Sequence, residues 1–276
     1  MLDSNNSTQA MAGAAGVATH RECVASVLKR KPPARIVYAP NYWQWFAHHQ
    51  NHGLLPPEIA HCRTQLDLIR HLGLDVFSRN VYSDQQHCWF GGLTEVVWDG
   101  VEACEEVRMD GHDRVITRTY VTRHGSLTER QRYIFADSTL VQEKFTLDDT
   151  ADPLGALEEL LRARRWHFLP EKYAQEQARV GHDGFVVAGE LWSPLKALHL
   201  LAGAVNSTYL IDDDEDRVCE LLALHEAAQL DLVRQMAAAG VPAMMAMDNL
   251  DAAFHTPTYL EKFSASFYEK ASRIAH

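Results

Sequence analysis

The sequence has no run of 18 or more apolar residues free of charge, so it offers no candidate for a membrane-spanning helix. It also lacks a basic start, with Asp3 and no Lys or Arg before Arg21, which is not the order of a secretory leader. Basic charge is in short supply throughout: 26 Lys and Arg stand against 37 Asp and Glu, a net charge of −11. A binder of phosphate backbones needs a basic face, so nucleic acid is excluded as a first reading. The five cysteines, Cys23, Cys62, Cys88, Cys104 and Cys219, form no CxxC and no even framework, which suits reduced thiols and does not specify zinc. Neither GxGxxG nor GxxxxGK[ST] is present, and there is no GxSxG, so no nucleotide loop and no serine-hydrolase elbow is signalled. These absences predict a soluble, cytoplasmic protein without nucleic-acid or membrane partners. With 276 residues, 46% of them hydrophobic, it has enough apolar side chain for a large core.

Residues 1–19 are small and polar and predict a disordered tail before a barrel-like domain over 20–276. A helix is predicted over 20–30, ending at Pro32 and Pro33. The apolar run 35–39 then reads as a buried strand. Pro57, Ile59, Cys62, Leu66, Ile69 and Leu72 carry helical spacing up to Gly73, and a second short strand follows at 74–77. Between about 93 and 147 the period changes to two. Segments 94–98, 115–121 and 131–135, with turn signals at Asp110-Gly111 and His124-Gly125, predict an antiparallel insertion. Helical spacing returns after Asp152-Pro153, near 170–180, over 194–202 and over 216–239, and from Pro257 to the last residue. Apolar strands are predicted at 184–189 and 241–247. Outside the insertion, strands and helices alternate, which is the pattern of an α/β fold with parallel strands. Four parallel strands are expected, at 36–40, 75–80, 185–190 and 244–248, half the number in a closed (β/α)8 TIM-type barrel.

Chemistry in such folds gathers where parallel strands end. The four expected ends carry Asn41, Tyr42 and Trp43; Ser78, Arg79 and Asn80; Glu190, Trp192 and Ser193; and Asp248, Asn249 and Asp251. Glu190 and Asp248 follow apolar runs, so partial desolvation fits both for acid/base work, the alternative being helix capping or pairing with Arg79. His48 and His52 stand one helical turn apart, a spacing that serves a polar surface as well as a metal, and no metal site is assigned to them. The acidic run 212–216 reads as a cap on the following helix.

The C-terminal hundred residues resemble the uroporphyrinogen decarboxylase superfamily. The matching stretches are 193–203, the helix before the fourth expected strand, residues 247–251 with Asp248-Asn249, and the Thr256-Pro257 start of an aromatic-rich helix. The resemblance extends upstream through Phe77-Ser78 and implies a (β/α)8 barrel with its ligand at the strand C-terminal mouth. Only the first four βα units would be present here, and the exposed edges of such a half barrel would favour a homodimer. The superfamily's decarboxylases carry arginines after the first strand, where residues 40–46 have none. They place an Asp after Phe-Ser, where this chain has Arg79, and a Tyr where it has His199. The resemblance is therefore closer to the methyltransferase branch, whose members move a methyl group from a small methylated donor or a methyl-corrinoid, some with a corrinoid protein as partner. It implies that Asp248 and Asn249 orient donor or acceptor and that Glu190 is the acid/base candidate. Asn41, Tyr42, Trp43, Asn80, Trp192 and His199 would shape the pocket, and Arg79 would pair with a carboxylate. Zinc is implied too, on a His-x-Cys and a distant Cys that would lie beyond residue 276. Decarboxylation of a tetrapyrrole is the alternative activity, and a non-catalytic ligand-binding protein on the same scaffold is the third reading.

Overall fold

A computed structural model describes residues 18–78, 92–253 and 255–276. The expected tail thus lies outside the described residues except for its last two, and Thr19 is already the N-cap of α1 (His20–Leu28), paired reciprocally with Glu22 in a capping box. The run 35–39 is not a strand. Ile36 is 87% exposed and Tyr38 58%. The buried Asp75 carboxylate takes the Tyr38 N–H at 2.8 Å and the Arg35 guanidinium at 2.8 Å. A side chain, not a strand ladder, therefore fixes this segment, and the first of the four expected parallel strands is lost. The helix expected from Pro57 to Gly73 is also divided. After α2 (Trp43–Asn51), a short 3-10 turn spans Pro57–Ile59, and α3 (Gln65–His71) begins afresh at Thr64. Thr64 and Asp67 form a second capping box, which satisfies the first N–H groups of a new helix instead of continuing the old one.

The chain then runs through β1 (Val76–Ser78), β2 (Thr94–Trp98), β3 (Glu102–Asp110), β4 (Asp113–Thr122), β5 (Gly125–Ile134) and β6 (Thr139–Lys144). It continues with α4 (Pro153–Ala163), β7 (Arg164–Phe168), α5 (Pro170–Val180), β8 (Gly184–Val186) and β9 (Ala188–Leu191). Last come α6 (Pro194–Asp213), α7 (Glu215–Ala238), β10 (Met244–Ala246), α8 (Pro257–Phe263) and α9 (Ala265–Ala275). The last two divide at Ser264 what the sequence pattern predicts as one helix.

β8 and β9 are one apolar run interrupted at Val187. The first half pairs parallel with β1 and the second parallel with β10. Val186, Val187 and Ala188 are fully buried because helices cover both faces, as the continuous apolar sequence requires. Of the period-two segments, 115–121 and 131–135 fall in the antiparallel sheet β3-β4-β5-β6, whereas 94–98 is β2 and lies outside it. Its edge strand β3 is exposed along its whole length and carries Glu102, Glu105, Glu106 and Arg108, charges that discourage pairing with another chain. β2 pairs antiparallel with β7, an element absent from the sequence reading although residues 164–168 alternate buried and exposed without a break.

α7 joins two cores. Its first half places Val218, Leu221 and Leu222 against α4, α6 and the β4–β5 face; its second half places Leu232, Val233 and Met236 against the parallel strands and α9. Asp214 caps it by accepting the Arg217 N–H, so the acidic run serves the helix start. α6 breaks its helical path at Gly203 (φ 77°), where the Phe145 ring occupies the space a Cβ would need. The architecture is mixed α/β with parallel strands and helical crossovers, and no closed barrel is formed among the described residues. No helix among them is long and apolar enough to cross a membrane.

Candidate functional site

Ser193 follows β9 and is the N-cap of α6; its hydroxyl accepts the Lys196 N–H at 3.3 Å. Its own N–H, fully buried, donates to both carboxylate oxygens of Asp248 at 3.2 Å. Asp248 follows β10 and takes a second donor, the Tyr268 hydroxyl, from α9. The carboxylate is thereby fixed across the C-terminal ends of two neighbouring parallel strands. Burial, and then the Asp248 charge, hold the Tyr268 phenol well above its usual range, so it stays protonated.

Lys196 and His199 lie one turn apart on α6 and share a face. Burial pulls the Lys196 ammonium down, with Asp248 opposing. Burial also lowers His199, to about 4, helped by His255 and Lys196. The His199 and His255 rings meet edge to face, 5.2 Å between centroids. His255 is 5% exposed and neither of its ring nitrogens has a hydrogen-bond partner. Its pKa is lowered by burial first, against the pull of Asp248. At neutral pH the site therefore presents one fixed carboxylate, one protonated phenol, a lysine pushed toward proton release and two neutral imidazoles.

Of the residues singled out from sequence, the structure brings together Ser193, His199 and Asp248, with Trp192 adjoining. The Trp192 N–H donates to Gln229 at 3.0 Å and its ring meets Trp166 edge-on at 5.2 Å. Asn249 is exposed, and its carbonyl accepts the Asp251 N–H at 2.8 Å. Asn41, Tyr42 and Trp43 stand at the start of α2, where the Asn41 side chain takes the Trp43 N–H and Tyr42 packs on the small cluster of Phe46, Ile59, Cys62 and Leu68. Arg79 and Asn80 lie outside the described residues, as does the side chain of Glu190. The His48 and His52 rings meet at a tilt of 49°, 4.6 Å between centroids, and His52 bonds the Ala136 carbonyl at 3.1 Å. Lys196, His255 and Tyr268 were not singled out from sequence. The i, i+3 spacing of Lys196 and His199 was a usable signal; nothing local marks His255 or Tyr268.

Behind the site, His225 is fully buried and its Nε2–H donates to the Trp192 carbonyl at 3.1 Å. Burial, reinforced by the nearby Arg164 charge, pushes its pKa down to about 3 from 6.5. Below pH 6.5 the unfolded chain takes up a proton that the folded one refuses, so stability falls as pH falls toward 3, by about 1.4 kcal/mol per unit. His225→Gln keeps an N–H for the carbonyl and removes the titration. Urea denaturation at pH 7.5 and 5.0 should show the wild type losing about 2 kcal/mol more than this variant between the two.

Among the described residues, no three or more His, Cys, Asp and Glu side chains come together as metal ligands. The zinc that the resemblance implies therefore has no ligand set in these residues. Comparison with protein-family models, curated proteins and solved structures gave no match to this chain.

Proposed function

We propose that the protein is a methyl-transfer enzyme of the uroporphyrinogen decarboxylase superfamily type, on a (β/α)8 barrel plan, moving a methyl group between a small methylated compound and a corrinoid or thiol. The observation that carries this reading is the Asp248 cluster at the ends of β9 and β10, the place where α/β enzymes of parallel topology keep their chemistry. When a methyl group leaves an oxygen or nitrogen, the bonding electron pair stays on that heteroatom, which then needs a proton. Lys196 and the Tyr268 phenol are the donors beside Asp248. For an incoming thiol the proton acceptor is Lys196 in its neutral form, which burial favours, because His199 and His255, lowered by burial, resist taking up a proton. Asp248 fixes the Ser193 start of α6 and the Tyr268 hydroxyl relative to each other, and an in-line displacement depends chiefly on such alignment. Asn249 keeps the orienting role, Glu190 the acid/base role, Asn41, Tyr42, Trp43 and Trp192 the pocket roles and Arg79 the carboxylate pairing that the resemblance implies. A tetrapyrrole with several carboxylates calls for several cations, whereas Lys196 is the cation the described residues place beside Asp248.

The test uses the product of the native gene, with cob(I)alamin and a panel of methoxy and methylamine compounds, followed by the appearance of methylcobalamin. Transfer from at least one donor is expected, reduced about 100-fold or more in Lys196→Met. Absence of transfer from every donor, and from methylcobalamin to thiols, would overturn the reading. Release of carbon dioxide from a uroporphyrinogen would assign decarboxylation instead.

A further inference from the structure

A second cavity, of about 240 Å³, lies where the β2–β7 pair meets the faces of β4, β5 and β6 and the first turns of α6. It shares Trp192 with the surroundings of the Asp248 cluster but otherwise differs from it: Ala197, Leu200 and Leu201 line it, whereas Lys196 and His199 do not. Three indoles, those of Trp98, Trp166 and Trp192, line it.

The charged groups of the lining are Arg118, Glu129 and Arg164. Arg118 is fully engaged, with Glu129 at 2.9 Å, Glu105 at 2.7 Å and the Gln131 side-chain oxygen at 3.1 Å. Glu129 also receives the hydroxyls of Thr146 at 3.0 Å and Tyr120 at 3.4 Å. Gln131 donates to Gln142 at 2.9 Å. Arg164 differs from all of these. It is 7% exposed, its Nε has no partner, and it takes part in no ion pair among the described residues. What it has are the rings of Trp98 and Trp166, 5.0 and 5.6 Å from its guanidinium carbon. The indole N–H of Trp166 is likewise buried and unpartnered. The unsatisfied buried groups of this lining are thus donors, Arg164 Nε and Trp166 Nε1, and none is an acceptor. Burial works against the charged form of Arg164; Tyr120 and Glu129 oppose it only from a distance, without an ion pair, and a bound anion would offset it further.

We propose that this cavity binds a small planar carboxylate, a single aromatic or conjugated ring bearing one carboxylate, with Arg164 as counter-charge and the Trp166 N–H as second donor. Three features select that chemistry. An acceptor-only anion matches donors that have no other partner. Indole faces favour a flat ring over a compact ion. The volume falls below the roughly 300–1,000 Å³ of sites for drug-sized ligands, which fits one ring and excludes a tetrapyrrole. The inference stands independently of methyl transfer, because binding is measured without turnover.

The experiment is titration of the full chain with benzoate, benzamide, acetate and inorganic phosphate, read by tryptophan fluorescence and by thermal shift. Benzoate is expected to bind saturably and raise the melting temperature. Benzamide, the same ring without charge, should bind at least tenfold more weakly, and so should acetate and phosphate, which lack the ring. Arg164→Met should lose at least tenfold for benzoate while its far-ultraviolet dichroism is unchanged. Should that variant fail to fold, Trp166→Phe keeps a ring in place and removes one donor, with an expected loss of about three- to tenfold. Equal binding of benzoate and benzamide, tighter binding of phosphate or acetate, undiminished benzoate binding in the folded Arg164 variant or in Trp166→Phe, or no saturation by about 10 mM benzoate would overturn the proposal.

Discussion

Gly184→Ala is expected to destabilise the protein by about 3 kcal/mol or more, a loss that urea denaturation reads directly. Gly184 opens β8 directly opposite Val76 of β1, with φ 150° and ψ −137°, a region of backbone space essentially reserved for glycine. A Cβ there would fall on the Val76 carbonyl group. The obstacle is backbone in a fully buried strand, so no rotamer change relieves it. The strands would have to part, and β8 is continuous with β9, the strand that leads into Trp192 and Ser193. The variant should therefore lose the Asp248 cluster along with stability. A change below about 1 kcal/mol would mean that β1 and β8 do not pair in this register.

Asp248→Ala is expected to lower stability by about 2–4 kcal/mol and methyl transfer by about 100-fold or more. The truncation leaves the fully buried Ser193 N–H and the half-buried Tyr268 hydroxyl without their acceptor. Asp248→Asn separates the two roles of the carboxylate. Its side-chain oxygen still accepts from Ser193, so at least half of the lost stability should return. Its lack of charge removes the one influence that raises the Lys196 pKa against burial, so Lys196 should lose its proton at lower pH and the activity should not recover. Denaturation midpoints together with a pH–rate profile distinguish these outcomes. Equal rates for wild type and Asp248→Asn would remove Asp248 from the chemistry and leave it a structural role.

Much of the local structure is written in short stretches of sequence. Thr19 with Glu22, Thr64 with Asp67, Asp152 with Pro153 and Thr256 with Pro257 each start a helix, because a cap is made within three or four residues of itself. The alternation over 94–98 and 113–134 becomes strand, and the apolar runs at 184–189 and 244–246 become parallel strands, the first of them buried, because a period of two and a lack of polar side chains each describe one face or both. The ends of those runs also point to Ser193 and Asp248, and the family resemblance to His199. Tertiary structure decided the rest. Residues 35–39 have strand composition yet are held by Asp75, a carboxylate supplied from after α3. Tyr268 and His255 reach Asp248 and His199 only because α9 packs on α7 and the turn after β10 folds back toward α6. Arg164 is a surface-type residue by composition, and it becomes a buried charge without an ion pair among the described residues only when the β2–β7 pair closes against the β4–β6 sheet and α6. Caps and periodicity are set by neighbours along the chain; which charges meet, and how much water each one loses, is set by elements distant in sequence, and so becomes fixed only in the folded molecule.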